Sequence, residues 1–291
     1  MSLSGKAALA GVVGWPIAHS RSPRLHGYWL ETYGIDGAYL PLAVRPEDLE
    51  AALRGLLAAG FRGVNLTIPH KEKAMALCDR VEETAQRIGA VNTLVFDEGR
   101  IHGSNSDAFG FIENLRAGAA GHDLAHDLAH DLTHDLTAAP AVLLGAGGAA
   151  RAVAVALLEA GVPALRICNR SPERAAALAA ELGAAATALP WAQRADALDD
   201  IGLLVNSTSL GMSGQPPLEI ALDRLPPSAL VTDLVYSPLE TELLTAARLR
   251  GCGTVDGLGM LLHQARPGFR AWFGVEPEVT QALRDFVLGE S

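Results

Sequence analysis

Short apolar runs bounded by glycine, proline or polar residues alternate along the chain with segments whose apolar positions recur at helical spacing. Residues 9–13 read as a strand that opens into a polar loop over 14–23 and a helix over 24–33. A strand at 39–44, a helix at 46–59 and a strand at 63–67 follow, then helices around 71–78 and 82–88. Residues 91–97 and 100–103 form a hairpin across Glu98-Gly99. Mid-chain, the apolar run 141–144 leads through a glycine turn into an alanine-rich helix over 151–160 closed by Gly161, and 164–169 is the next strand. Helices over 258–273 and 277–288 complete the pattern. Strand and helix alternate in both halves, so the fold class is α/β with two α/β domains.

The glycine turn fits G-x-G-x-x-A at Gly145, Gly147 and Ala150. Gly145 permits the tight turn, Gly147 lets backbone N–H groups approach a pyrophosphate, and Ala150 lets the helix lie against the strand. The helix N-terminus adds unpaired donors and a partial positive charge. Such a turn also joins strands to helices in purely structural units, so the next strand carries the argument. It ends in Asn169-Arg-Ser-Pro-Glu-Arg174, with no acidic residue at the tip for a ribose 2′-hydroxyl. Arg170 and Arg174 instead suit a 2′-phosphate, which a guanidinium grips bidentately, and NADP is favoured over NAD. Roughly 140 residues precede this motif, enough for a separate domain. The chain therefore reads as a substrate-holding half and a nucleotide-holding half, with the chemistry expected between them.

Composition narrows the partners. An apolar content of 49% excludes disorder, and a net charge of −10 argues against nonspecific nucleic-acid binding or an anionic membrane surface. An anionic substrate and cofactor must then be held by locally placed cations. The odd, widely spaced Cys78, Cys168 and Cys252 make neither a disulfide framework nor a zinc signature, and a reduced cytoplasmic location is the default. The apolar stretch 7–18 after Lys6 imitates a signal-peptide core, but Gly11, Gly14 and Pro16 interrupt it.

Residues 121–137 hold four copies of a His-Asp tetrapeptide, placing His122, His126, His130 and His134 four apart. Two successive histidines on a helix can chelate a metal. The low-complexity composition instead reads as an expanded surface connection, and no metal is assigned. Its copy number is expected to be changeable without loss of activity, and a titration should reveal no tight zinc binding.

The polar tips of the first half are candidate chemistry. His19-Ser-Arg-Ser-Pro23 sets two hydroxyls beside a helix start, where Ser20 and Ser22 can donate to a small carboxylate or Ser22 can cap the helix. Asn65-Leu-Thr-Ile-Pro-His-Lys71 alternates Asn, Thr and Lys at a strand end, with Lys73 read as a surface residue. Gly89-Ala-Val-Asn-Thr93 and Gly103-Ser-Asn-Ser-Asp-Ala-Phe-Gly110 are further polar tips of the kind that turns also favour.

With Asn206-Ser-Thr-Ser-Leu-Gly-Met212, Asp233-Leu-Val-Tyr236 and Gly257-Leu-Gly-Met-Leu-Leu-His-Gln264, these segments in this order resemble the shikimate dehydrogenase family over essentially the whole length, the repeat excepted. The resemblance implies NADP-dependent interconversion of 3-dehydroshikimate and shikimate. It implies an N-terminal substrate domain, 1–107, completed by the C-terminal helices of 257–291, and an inserted Rossmann-type NADP domain over 108–256. Ser20 and Ser22 would hold the substrate carboxylate, assisted by Tyr236. Thr67, Asn92 and Gln264 would hold ring hydroxyls or the same carboxylate edge. Lys71 and Asp107 match the family's catalytic pair and would also touch substrate. Gly145, Ala146, Gly147, Gly148 and Ala149 would cradle the pyrophosphate, and Asn169, Arg170, Ser171 and Arg174 the 2′-phosphate. Leu234, Gly257 and Met260 would line the nicotinamide, with Glu83 near the cofactor or simply exposed on its helix.

Two departures stand out: Ser106 and Ala108 flank Asp107 where the family often has Thr and Gly, and Gly27 follows His26 where Asn is frequent. Beside a small-molecule substrate, the only partner allowed for is a second copy of the chain in a homodimer. A quinate/shikimate enzyme with broader substrate or NAD use is the nearest alternative. A non-catalytic NADP-binding regulator is the remote one, and it would not need Lys71, Asp107 and the serine pair together.

Overall fold

The computed structural model describes residues 3–119 and 136–289. The chain divides into two compact units, Met1–Ser106 with Leu262–Ser291, and Asp107–Leu261. The expected divisions were after 107 and before 257. The second falls later because the start of the last long helix belongs with the inserted unit: Asp256 accepts from the Asn114 side chain (2.7 Å) through its carbonyl, and Gly257 abuts the Leu234 backbone.

The first unit contains β1 (Ala8–Gly14), α1 (Ser22–Thr32), β2 (Gly37–Ala43), α2 (Leu49–Ala58), β3 (Gly63–Leu66), β4 (Arg80–Val81), α3 (Glu83–Ile88), β5 (Thr93–Asp97) and β6 (Arg100–Ser104). Its six-stranded sheet runs β2-β1-β3-β5-β6-β4. β1 is parallel to β2 and β3, while β3, β5 and β6 pair antiparallel. The expected helix over 71–78 is only a 3-10 turn, Lys73–Leu77, because the Asp79 amide must donate to the Ile101 carbonyl (2.8 Å) and β4 must pair with β6. The expected helix at 46–59 likewise begins as a 3-10 turn, Pro46–Asp48, ahead of α2.

The long helix α8 (Leu258–Phe273), from Leu262 onward, and α9 (Gln281–Leu288) supply the rest of this unit. Thr280 caps α9 by accepting from the Leu283 amide (3.2 Å), so the helix starts there and not at Pro277. Trp272 anchors α8 to the sheet by donating its Nε1–H to the Leu94 carbonyl (3.0 Å). Gly63 allows this: a Cβ there would lie 2.3 Å from Trp272 Nε1 and 2.0 Å from the Leu94 oxygen. The apolar core beneath the sheet joins Val13, Leu49, Leu53, Val64, Leu66, Leu94 and Ile101.

The second unit holds α4 (Asp107–Ala119), β7 (Ala141–Leu144), α5 (Gly148–Glu159), β8 (Leu165–Asn169), α6 (Pro172–Leu182), β9 (Ala186–Pro190), β10 (Leu203–Asn206), β11 (Leu230–Asp233), α7 (Glu242–Leu249) and β12 (Gly253–Val255). Its six strands are all parallel, in the order β12-β11-β10-β7-β8-β9. That is the doubly wound dinucleotide-binding order, with the strand sequence reversing between β7 and β10. α5 begins at Gly148 and not at the expected 151, so the last glycine of the turn is already helical.

Among the described residues no helix is long and apolar enough to cross a membrane, and no group of three or more His, Cys, Asp or Glu is placed to hold a metal. The His-Asp repeat through residue 135 lies outside the described residues. All three cysteines are free, and burial pushes the Cys78 and Cys168 thiols up to about 11.

Candidate active site

In the first unit the polar tips gather where β1 and β3 end. β1 leads into the loop carrying Ser20, and the Ser22 amide donates to Ser20 Oγ (3.3 Å). Ser22 is the first residue of α1, behind Arg21, and no side-chain cap bond forms, so the capping role is not the one it plays. Thr67 follows β3, its amide donating to the Val13 carbonyl (3.0 Å). A Cβ at Gly14 would stand 2.5 Å from Thr67 Cγ2, so the absent side chain is what lets the Thr67 methyl pack there. The turn to Lys71 is pinned by buried His70, whose Nε2–H donates to the Val44 carbonyl (2.9 Å). Lys71 is half-buried, and its own carbonyl accepts from the Val91 amide (2.9 Å), next to Asn92. Lys73 is exposed and donates to the Pro46 carbonyl (2.8 Å).

Asn92 is buried at the centre of a polar network. Its Oδ1 accepts from Thr93 Oγ1 (2.9 Å), the Ser106 amide (2.9 Å) and Ser106 Oγ (3.1 Å). Asn65 donates to the Asn92 carbonyl and to Thr93 Oγ1, both at 3.1 Å, and accepts from the Tyr39 hydroxyl (2.6 Å). The hydroxyl kept by Ser106 is thus in use. Gly27 is exposed, and a side chain there would meet nothing within 4 Å. Gln264 is half-buried on α8, in the same unit as Ser20 and Ser22; Glu83 is exposed at the start of α3.

Asp107 directly follows Ser106, opens the second unit as the first residue of α4, and is buried. In this unit β7 runs into Gly145, whose φ of +113° and whose approach to Ser207 (a Cβ would stand 2.5 Å from its Oγ) only glycine accommodates. Gly147 is the N-cap of α5 with no side-chain cap bond, and at both Gly147 and Gly148 a Cβ would meet nothing within 4 Å. Ala146 is half-buried and Ala149 exposed beside them. Open space above uncapped amides is what a pyrophosphate requires. At the tip of β8 the Asn169 side chain donates to the Ser171 carbonyl (2.9 Å), shaping the turn, and Arg170 and Arg174 are exposed.

Buried Asp233 organises the ends of β10 and β11. Its carboxylate accepts from Asn206 Nδ2 (2.9 Å), the Val235 amide (3.0 Å) and Thr241 Oγ1 (2.8 Å); burial pushes its carboxyl up, against these three donors. Asn206 Oδ1 in turn accepts from Thr208. These bonds hold the loop bearing half-buried Leu234 and Tyr236, which Gly257 closes from beneath: a Cβ there would lie 2.4 Å from the Leu234 carbonyl carbon. Met260 is buried one helical turn on.

Three family models match the chain: shikimate dehydrogenase substrate binding domain over residues 12–94, shikimate/quinate 5-dehydrogenase over 127–212, and shikimate 5′-dehydrogenase C-terminal domain over 257–284. The shikimate dehydrogenase (NADP(+)) of Rhodospirillum rubrum is 58% identical, covering 99% of each chain. That of Paramagnetospirillum magneticum is 56% identical over 98% of this chain and all of its own. This chain belongs to the shikimate dehydrogenase family.

Two solved structures bear on the family's range. Shikimate 5-dehydrogenase from Thermus thermophilus in complex with NADP(H) and shikimate superposes with a TM-score of 0.83 at 39% identity, covering 98% of this chain and 100% of that one. Quinate dehydrogenase from Corynebacterium glutamicum in complex with NAD gives 0.85 at 33%, covering 97% and 99%. The motif residues of the shikimate dehydrogenase family are the ones that sequence singles out; of the residues that hold them in place, Thr93 and Asp233 stand inside those motif segments with no sign of a supporting role, and Tyr39 lies in none. Asn65 is within reach of a sequence reading, since it alternates with Thr67 on the same strand end, and Ser106 stands out as the hydroxyl kept beside Asp107.

Proposed function

We propose that the chain catalyses the reversible NADPH-dependent reduction of 3-dehydroshikimate to shikimate, the step of the shikimate pathway that leads toward chorismate and the aromatic amino acids. The observation that carries this reading is the identity of 56–58% to two NADP(+)-dependent shikimate dehydrogenases in a chain that holds Lys71, Asp107 and the Ser20–Ser22 pair together. Ser20 and Ser22, with Tyr236, hold the substrate carboxylate. Thr67, Asn92 and Gln264 hold ring hydroxyls or the same edge. Lys71 and Asp107 are the catalytic pair.

When bound, NADP(H) supplies the hydride or takes it up. The protein's task is the oxygen: the Lys71 ammonium polarises the carbonyl, stabilises the developing alkoxide and donates its proton, while Asp107 orients the ammonium and accepts from the substrate hydroxyl. Residues 145–149 fit a pyrophosphate, since a Cβ at Gly147 or Gly148 would enter space the chain leaves open. Asn169, Arg170, Ser171 and Arg174 would take the 2′-phosphate, Leu234, Gly257 and Met260 the nicotinamide face, and Glu83 the cofactor's edge. The exposed arginines after the β8 tip, where Asn169 and not an acidic residue ends the strand, favour NADP over the NAD of the quinate relative. The enzyme works in the cytoplasm on a small molecule, without a nucleic-acid or membrane partner, in keeping with its net charge of −10.

Nicotinamide absorbance during incubation with shikimate or quinate, each with NADP and with NAD, tests the reading. Shikimate with NADP should be fastest. Faster oxidation of quinate would move the chain to the quinate branch, and cofactor binding without turnover of either acid would make it a regulator.

A further inference from the structure

We propose that Tyr39, which no motif singles out, is a positioning residue that fixes the proton polarity of the substrate cradle. The inference rests on the reading of Asn92 as a substrate-holding residue.

The argument follows from which atoms are able to donate. The Asn92 carbonyl only accepts, so the group that Asn65 sends to it at 3.1 Å is the amide nitrogen. Asn65 Oδ1 therefore faces Tyr39, and because an amide oxygen only accepts, the phenol must give it its single proton across 2.6 Å. Asn65 uses its other N–H on Thr93 Oγ1 (3.1 Å), leaving the Thr93 proton for Asn92 Oδ1 (2.9 Å). The Ser106 amide, which can only donate, closes on that same oxygen (2.9 Å). Every hydrogen bond from Tyr39 to Asn92 thus runs in one direction, and the Asn92 amide is held with its oxygen toward the network and its nitrogen turned away. At the other end, the phenol oxygen, its proton given to Asn65, has only acceptor capacity left.

The ring that carries this oxygen is fixed by stacking. Fully buried His26 lies against Tyr39 with centroids 3.8 Å apart and planes 4° apart, and neither of its ring nitrogens has a hydrogen-bond partner among the described residues. Trp272 borders the same phenol at 6.0 Å. His26 serves as a flat wedge, and the chemistry of the pair resides in the Tyr39 hydroxyl.

Tyr39→Phe keeps the stack and removes the proton that Asn65 accepts. Thr93→Val breaks the same chain one bond further along, at a residue only 2% exposed beneath Asn92. Both are to be assayed beside the wild type for KM of shikimate, KM of NADP and kcat. Each variant should raise the shikimate KM about tenfold, with the NADP KM and kcat changed less than about threefold, and the double variant should do no worse than the more affected single one. A merely structural role would lower the active fraction and thermal stability without moving the shikimate KM. A shikimate KM within twofold of wild type in either variant, or effects that multiply in the double variant, overturns the proposal; Thr93→Val alone decides it if Tyr39→Phe does not fold. Failure of the wild type to turn over shikimate would bring down the functional reading, and this inference with it.

Discussion

Single side chains set both the chemistry and the acid limit of this enzyme. Lys71 is placed by a turn anchored at His70 and Val91 and has no part in the core, so its loss should be read in the rate. Lys71→Ala is expected to lower kcat by roughly 10²–10⁴-fold, the usual range for lost general acid-base help, with a smaller effect on KM. A kcat within tenfold of wild type and a sharply raised KM would make Lys71 a binding residue instead. His26 makes a different prediction. Burial lowers its pKa from 6.5 to about 3, so between those values the unfolded chain binds a proton that the folded chain does not. Stability is unaffected by this residue above pH 6.5 and falls as pH drops from there toward 3, by about 2 kcal/mol at pH 5. Urea midpoints of wild type and His26→Phe at pH 7 and pH 5 check this: the variant should lose less on acidification, and equal losses would show that His26 is not the source.

At the scale of elements, the glycine turn separates a role in folding from a role in binding. Gly145 is required by its own backbone and by Ser207, whereas Gly147 has an ordinary φ of −94° and open space beside it. Gly147→Val should therefore keep the melting temperature within about 3 °C while weakening NADP binding roughly tenfold or more, measured by cofactor titration. A large loss of stability with normal cofactor affinity would count against the cradle. These elements are the legible part of the sequence: period and punctuation locate β1, β7 and α8 within a residue or so, because each has an unbroken apolar face. Residues 71–78 mislead because helical spacing there is overruled by the pairing of β4 with β6, a contact distant in sequence. The network of Tyr39, Asn65, Thr93 and Ser106 is hidden for another reason. Polar residues beside turns look alike whether they satisfy a local backbone or one another, and only the fold decides.

At the scale of the molecule, the first unit is assembled from both ends of the chain. Truncation after Leu261 would remove Trp272 and its bond to Leu94, together with buried Phe269 and Leu283, from a core the remaining strands cannot close. We expect such a protein to lose cooperative unfolding of the substrate-holding unit while still binding NADP through the second, seen as one calorimetric transition in place of two or as partial insolubility. Full retention of shikimate binding would contradict this.

The same interleaving dictates an order of events at the ribosome. Residues 107–261 are contiguous, so that unit has its whole sequence available before Leu262 is synthesised. The sheet translated first must wait, with the Leu94 carbonyl lacking its indole donor and the hollow beside Gly63 unfilled, until α8 emerges. The half of the polypeptide that is made earliest is thus the half that matures last, and its waiting apolar face is where a chaperone would find this nascent chain.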